Sequence, residues 1–315
     1  MAAPIIDVHA HYFPPAFTEA FERLSGGRKA WPQHPVSLDD RAASLTAAGV
    51  DVQVNGLGHN QPYFADAAAS VECARIANDV YAKAFAPYGG RLAAFGAIPL
   101  PHPQQAIDEA SRCLDELGFA GIGVGTSAVG RTIDDPSFEP VWAALDKRKT
   151  TVFVHPVGTP DTFIIGADGF QMGPKLGGPH EAAVATLRLV CSGVTTRYPS
   201  IKFVIAAMGG TLPYLWPRFT EMSIGALKSG AVKFQTDGDP TDALRRVYFD
   251  TALSNTVTGF NVTAELVGAG QIVLGTDVPR IPAADWINAI RGWEGLSPSV
   301  LEGVLGRTAR EKLGL

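Results

Sequence analysis

Two histidines one residue apart, His9 and His11, end the apolar run Ile5-Ile6-Asp7-Val8-His9-Ala10-His11. Extended side chains alternate faces, so both imidazoles project one way while Val8 and Ala10 project the other. The pair is either half of a metal site or two ordinary histidines near a strand end, and the choice depends on what else converges on it. Two candidates stand far downstream: His155 at the end of Thr151-Val152-Phe153-Val154-His155, and Asp277 in Leu274-Gly275-Thr276-Asp277. Three imidazoles and one carboxylate make a mononuclear shell for a metal ion, leaving a position for water or substrate if coordination expands beyond four. Taken singly, His155 before Pro156 also reads as a buried, hydrogen-bonded residue, and Asp277 as a cap on the segment after its strand.

Residues so far apart meet only if the fold gathers strand ends. After the first strand the chain passes through Tyr12-Phe13-Pro14-Pro15, Gly26-Gly27, Pro32 and Pro35, an excursion rich in turn formers at about 13–37 that should cross the mouth of that strand. A helix is expected from about Ser37 to Ala48, capped by Ser37-Leu38-Asp39-Asp40 and closed by Gly49. Strand and helix then alternate. Strands are expected at Val50–Asn55, Leu92–Ile98, Ala120–Val124, Thr151–His155, Ile201–Ala206, Arg246–Phe249 and Gln271–Leu274. Helices are expected near 64–87, 104–117, 138–148, 181–192 and 262–267, with a broken helical region before the seventh strand. Eight short apolar strands alternating with helices predict an α/β fold closed as a (β/α)8 TIM barrel, with a doubly wound open sheet as the alternative. No Gly-rich dinucleotide fingerprint follows the first strand, and no linker divides residues 1–315, so one barrel is expected. In such a barrel reactive groups sit at the C-terminal ends of strands, where His9, His11, His155 and Asp277 all fall.

Composition narrows the partners. Among 315 residues, 46% are hydrophobic and 18% charged, with a net charge of −5 and no basic stripe, which argues against nucleic acid or an anionic membrane and for a small molecule. Cys73, Cys113 and Cys191 are widely spaced and read as reduced thiols, no segment has about 18 unbroken apolar residues, and the N-terminus lacks a basic leader, so a cytoplasmic protein is expected.

The ordered set Ile6-Asp7-Val8-His9-Ala10-His11-Tyr12-Phe13-Pro14, Phe153-Val154-His155-Pro156, Gly209-Gly210-Thr211-Leu212-Pro213-Tyr214, Tyr248-Phe249-Asp250-Thr251-Ala252 and Leu274-Gly275-Thr276-Asp277 resembles the amidohydrolase superfamily. Within it the likeness is to the branch holding aminocarboxymuconate semialdehyde decarboxylase and the resorcylate-type decarboxylases. The resemblance implies Zn2+, or alternatively Mn2+, on His9, His11, His155 and Asp277. It also implies non-oxidative loss of CO2 from a small aromatic or unsaturated carboxylic acid, with Asp277 relaying a proton. The alternative is hydrolysis of a lactone, amide or ester. Relatives carry a histidine at the end of the sixth strand that hydrogen-bonds the metal's water; here Ala207 occupies that place in Ala207-Met208-Gly209-Gly210-Thr211. An alanine neither accepts a proton nor orients water. Three explanations stay open: a histidine exchanged for alanine in an otherwise intact motif, a natural member whose base lies elsewhere, or a binding protein on the old scaffold.

For the second explanation, His59 and His180 stand in loops on the active face, although the first reading of both is a solvated loop histidine; His34 and His102 read as surface residues. Arg218 resembles the arginine that in the semialdehyde decarboxylase crosses a dimer interface to a substrate carboxylate, which implies a homodimer. Arginine's planar fork suits that role, and an exposed helix arginine is the plainer reading. Phe13, Phe163, Phe170 and Trp216 are placed to sandwich a planar ring or simply to close the core, and Asp161 and Asp168 read as turn formers. The turn Gly177-Gly178-Pro179 should fold the chain back over the metal.

Overall fold

Short apolar stretches with few polar positions must bury both faces, and all eight become neighbours in one parallel sheet. The computed structural model describes residues 3–30, 37–158, 172–236, 238–254 and 256–315. Its strands are β1 Ile6–His11, β2 Val52–Gly56, β3 Leu92–Ala97, β4 Gly121–Gly125, β5 Thr151–His155, β6 Lys202–Ile205, β7 Tyr248–Asp250 and β8 Ile272–Val273. Their order in the sheet is their order in the chain. The chain beyond β8 then closes on β1: Ala10 bridges Val278 in parallel, the Val8 amide donates to Leu274 O at 2.9 Å, the Asp277 amide to His9 O at 2.8 Å and the His11 amide to Val278 O at 2.7 Å. With helices packed outside, the fold is an α/β (β/α)8 barrel.

A fully buried carboxylate ties this seam. Asp7 accepts from the Thr276 amide at 3.0 Å, the Thr276 hydroxyl at 2.7 Å and the Gln53 side-chain amide at 2.8 Å, so one residue joins β1, β2 and the segment after β8. Burial pushes its pKa up to about 6 against these bonds.

Two apolar clusters fill the space between sheet and helices. One gathers Trp142, Leu145, Leu189, Phe203 and Phe249; the other gathers Phe17, Phe21, Tyr81, Leu274 and Trp286 around the β1 side. The helix Leu38–Ala48 has the expected ends: Ser37 Oγ accepts from the Asp40 amide at 3.0 Å, and Gly49 takes φ 75° beyond the last turn. One segment differs from expectation. The excursion after β1 contains a helix, Pro15–Leu24, because Pro15 is tolerated in the first turn and Phe17, Ala20 and Phe21 bury one face against the helix Ala67–Phe85. The broken helical region before β7 is found as two helices, Leu212–Ser229, which runs through Pro217, and Pro240–Leu244. Among the described residues no helix is long and apolar enough to cross a membrane, and Cys73, Cys113 and Cys191 form no disulfide.

Candidate metal centre

β1 and β5 end with their histidines aimed at one point. The ligand atoms of His9, His11 and His155 all lie within 4.8 Å of one another, and all three residues are buried. The outer nitrogen of each ring has an acceptor-only partner: His9 Nδ1 donates to Asp250 Oδ2 at 2.8 Å, His11 Nδ1 to Gly56 O at 3.0 Å and His155 Nδ1 to Pro156 O at 2.7 Å. A carbonyl or carboxylate oxygen only accepts, so each Nδ1 carries a hydrogen, and a ring in its neutral form turns a bare Nε2 inward. Nε2 of His9 and of His11 stand 3.2 Å apart. Two lone pairs at that separation repel, and it is about the spacing of two nitrogens each ~2.1 Å from a shared ion.

Asp277 completes the set from the segment after β8. Its Oδ1 lies 3.0 Å from His11 Nε2 and 3.5 Å from His9 Nε2, while Oδ2 forms an ion pair with Arg280, 3.1 Å from its Nε. Burial alone would raise its pKa, but the adjoining His11, His9 and Arg280 bring it down to about 2. Burial would likewise lower His9, yet the pull of Asp250, its hydrogen bond and Asp277 carry it up to about 9. His155 is driven well below the usual imidazole range by burial and by His59, His11 and His9 around it. Carboxylates beside a ring that burial should keep neutral mark a place built for positive charge. The donor set fits one divalent cation on His9, His11, His155 and Asp277.

Asp250, given no role in the sequence reading, links this centre to the segment after β6. Its Oδ2 holds His9, while Oδ1 accepts from the Ala207 amide at 3.0 Å and the Ala252 amide at 2.8 Å. Ala207 is buried and lines the cavity over the metal point with φ 56°, followed by Met208 at 51°, Gly209 at 72° and Gly210 at 61°. Position 207, where the resemblance leads to the expectation of an imidazole, therefore faces the centre, but it carries a methyl group.

The cavity opens to solvent and is walled by Phe13, Pro156, Pro174, Pro179, Ala206, Ala252, Leu253 and Pro279. Phe13 stacks on His11 with ring centroids 5.6 Å apart. His59, read first as solvated, instead lines this cavity edge-on to His155 at 4.8 Å, and burial with the nearby His11 pushes its pKa down to about 4. Gly58 permits that approach: at φ 52° a side chain is strained, and a Cβ there would lie 2.6 Å from His11 Cε1. The turn expected at residues 177–179 is not formed: Gly178 and Pro179 open the helix Gly178–Cys191, and it is that helix start that lines the same cavity.

Other candidates are not gathered there. Trp216 is buried in the cluster with Phe203 and donates its indole N–H to Thr241 Oγ1 at 3.2 Å, so packing against its own helix neighbours takes it out of the cavity wall. Arg218 and His180 are exposed and absent from that wall, while His102 is half-buried with Nε2 3.0 Å from Phe64 O. His34, Asp161, Phe163, Asp168 and Phe170 lie outside the described residues.

The amidohydrolase family profile matches residues 6–315. A 6-methylsalicylic acid decarboxylase of Penicillium expansum is 30% identical over 88% of this chain and 85% of its own length. A gamma-resorcylate decarboxylase of a Rhizobium species is 30% identical over 80% of each chain. Among solved structures, a 5-carboxyvanillate decarboxylase of Novosphingobium aromaticivorans, complexed with manganese and 4-hydroxy-3-methoxy-5-nitrobenzoic acid, superposes with a TM-score of 0.86 at 21% identity, covering 99% of this chain and 96% of that one.

Proposed function

We propose that this chain, which belongs to the amidohydrolase family, is a metal-dependent carboxy-lyase that removes CO2 from a small aromatic carboxylic acid. The observation that carries the reading is the set of three inward Nε2 atoms whose tautomers are fixed from outside, with Asp277 beside them. The named relatives are decarboxylases, and hydrolysis is not favoured.

His9, His11, His155 and Asp277 would hold the ion, Zn2+ or Mn2+, and the manganese of the structural neighbour weighs toward the latter. Bound there, a divalent cation supplies Lewis acidity toward substrate oxygens. The chain's own groups do the rest. The apolar wall of Phe13, Pro156, Pro179, Ala206, Ala207 and Ala252 accepts a flat ring. It also suits the charge change, since a carboxylate is poorly solvated by such a wall and departing CO2 is neutral. Asp277, ionised at neutral pH, is the group placed to accept a proton from solvent at the open mouth or from a ring hydroxyl of the substrate and to pass it to the ring carbon that loses CO2.

The barrel would act as one catalytic unit across 1–315, in the cytoplasm, and as a homodimer. The helix Leu212–Ser229 exposes Tyr214 at 81% and Met222 at 66%, together with Leu215, Ile224 and Leu227, and carries Arg218 on its exposed surface. Such an apolar surface is the kind buried between subunits, and a partner's pocket is where Arg218 would meet a carboxylate. The test is metal analysis of gently purified protein, with CO2 release measured across a panel of 2-hydroxybenzoates and sedimentation velocity on the same sample. One divalent ion per chain and CO2 evolution are expected. Protein that takes up no ion, or that holds one and evolves no CO2, refutes the reading.

A further inference from the structure

Arg280 is the only lysine or arginine among the described residues that wall the metal cavity, whose remaining surface is histidine, Asp277 and apolar side chains. The turn from Asp277 to Arg280 is closed by the Arg280 amide donating to Asp277 O at 3.0 Å. That turn folds the guanidinium back on its own neighbour, where Nε contacts Asp277 Oδ2 at 3.1 Å. Asp277 thus stands between the imidazoles, which face Oδ1, and the arginine, which faces Oδ2. The ion pair places the guanidinium beside Asp277, and among the described residues neither Nη makes a hydrogen bond. The side chain remains 42% exposed, at the mouth of the cavity.

We infer that Arg280 is a specificity-determining residue that binds a second anionic oxygen group of the substrate, one that stays on the ring while the first carboxylate is lost. The inference rests on the reading that the departing carboxylate lies at the metal point. A ring with one acidic group there projects its other substituents toward the mouth, across Asp277. A guanidinium held beside Asp277 offers its two Nη groups side by side, the arrangement that pairs with a carboxylate or a phenolate flanked by an acceptor. A neutral substituent leaves those donors to water. The apolar wall opposite offers such an oxygen nothing, so the guanidinium also sets which way round the ring enters.

The test uses metal-loaded protein and calorimetric binding of three probes: benzoate, benzene-1,3-dicarboxylate and its neutral 3-carbamoyl analogue. The dicarboxylate should bind ~10- to 100-fold more tightly than either monoacid, the range for one charge-assisted pair. In Arg280→Gln that preference should shrink to about twofold with metal content unchanged. Should Arg280→Gln shed the ion, Arg280→Lys decides: a lone ammonium loses the paired contact, and the preference should drop at least ~3-fold. A parent protein without preference, or a preference that survives substitution, overturns the assignment. CO2 release does not enter this readout. Protein that favours the dicarboxylate through Arg280 but decarboxylates nothing refutes the reaction alone, and one that decarboxylates without preference refutes Arg280 alone.

Discussion

Replacing Asp250 by asparagine tests the architecture at its tightest point. Asp250 meets three donors with two oxygens: His9 Nδ1 at 2.8 Å on Oδ2, and the amides of Ala207 at 3.0 Å and Ala252 at 2.8 Å on Oδ1. Asparagine has one oxygen and one NH2. If the oxygen keeps the two backbone amides, the NH2 faces His9 Nδ1, which accepts only by moving its hydrogen to Nε2, the atom needed by the metal. If the group is flipped, both backbone amides lose their acceptor in a buried site, which is the costlier error. The first arrangement should prevail, and His9 should then hold the wrong tautomer. Losing an outer partner of a metal-bound histidine typically costs ~10- to 100-fold in metal affinity. The assay is competition against a fluorescent chelator at pH 7.5, with melting curves to separate local from global effects. Affinity within twofold of the parent, in a folded protein, would refute the tautomer argument and with it the main support for the centre.

Two further outcomes are expected. Ala207→His should raise turnover ~100-fold on a substrate the parent decarboxylates slowly, because it returns an acid-base group to the cavity wall, and histidine tolerates the left-handed φ of 56° at least as well as alanine; equal rates in steady-state assays would show that no base is needed there. In metal-free protein, burial lowers His9 but Asp250 and Asp277 raise it from 6.5 to about 9. A raised folded pKa gives stability that is complete below pH 6.5 and is lost as pH climbs through 9, worth ~3 kcal/mol at most. The buried Asp7, at about 6, is mostly ionised at pH 6.5 and adds little to the change above it. Chelator-treated protein should therefore melt lower at pH 9.5 than at pH 6.5, and a flat profile would contradict the pairing of His9 with Asp250.

The barrel and its four candidate ligands were legible because they depend on local pattern. Strand ends follow from apolar runs, and His9, His11, His155 and Asp277 each stand at or just beyond one. Asp250 ends β7 just as His155 ends β5, so the same rule pointed at it. What the rule lacks is a reason to prefer a buried hydrogen-bonding carboxylate over a ligand, since the two differ only in which atoms meet. Arg280 and His59 were harder. The first depends on a turn that returns the side chain to Asp277, the second on Gly58 taking φ 52° so that the loop closes against His11. Trp216 shows the opposite limit. An aromatic near a strand mouth suggests a substrate platform, but helix rotation carries this one into the outer core, where Thr241 satisfies its N–H.

The segment after β6 ties these threads together. Four successive residues, Ala207 to Gly210, have positive φ, two of them bearing side chains that find this region costly. Gly209 and Gly210 have no room for anything larger: a Cβ would lie 2.8 Å from Phe249 Cε1 in the one and 1.8 Å from Pro179 O in the other. Such a path persists only where its surroundings over-determine it, and here they do. Asp250 grips the Ala207 amide from beneath, and the backbone of Pro179 blocks the far side. Since the same carboxylate holds His9, the position of residue 207 and the tautomer of a metal ligand are set by one side chain. The geometry that would present an imidazole at 207 is thus a consequence of building the metal centre, and it stays in place with alanine there.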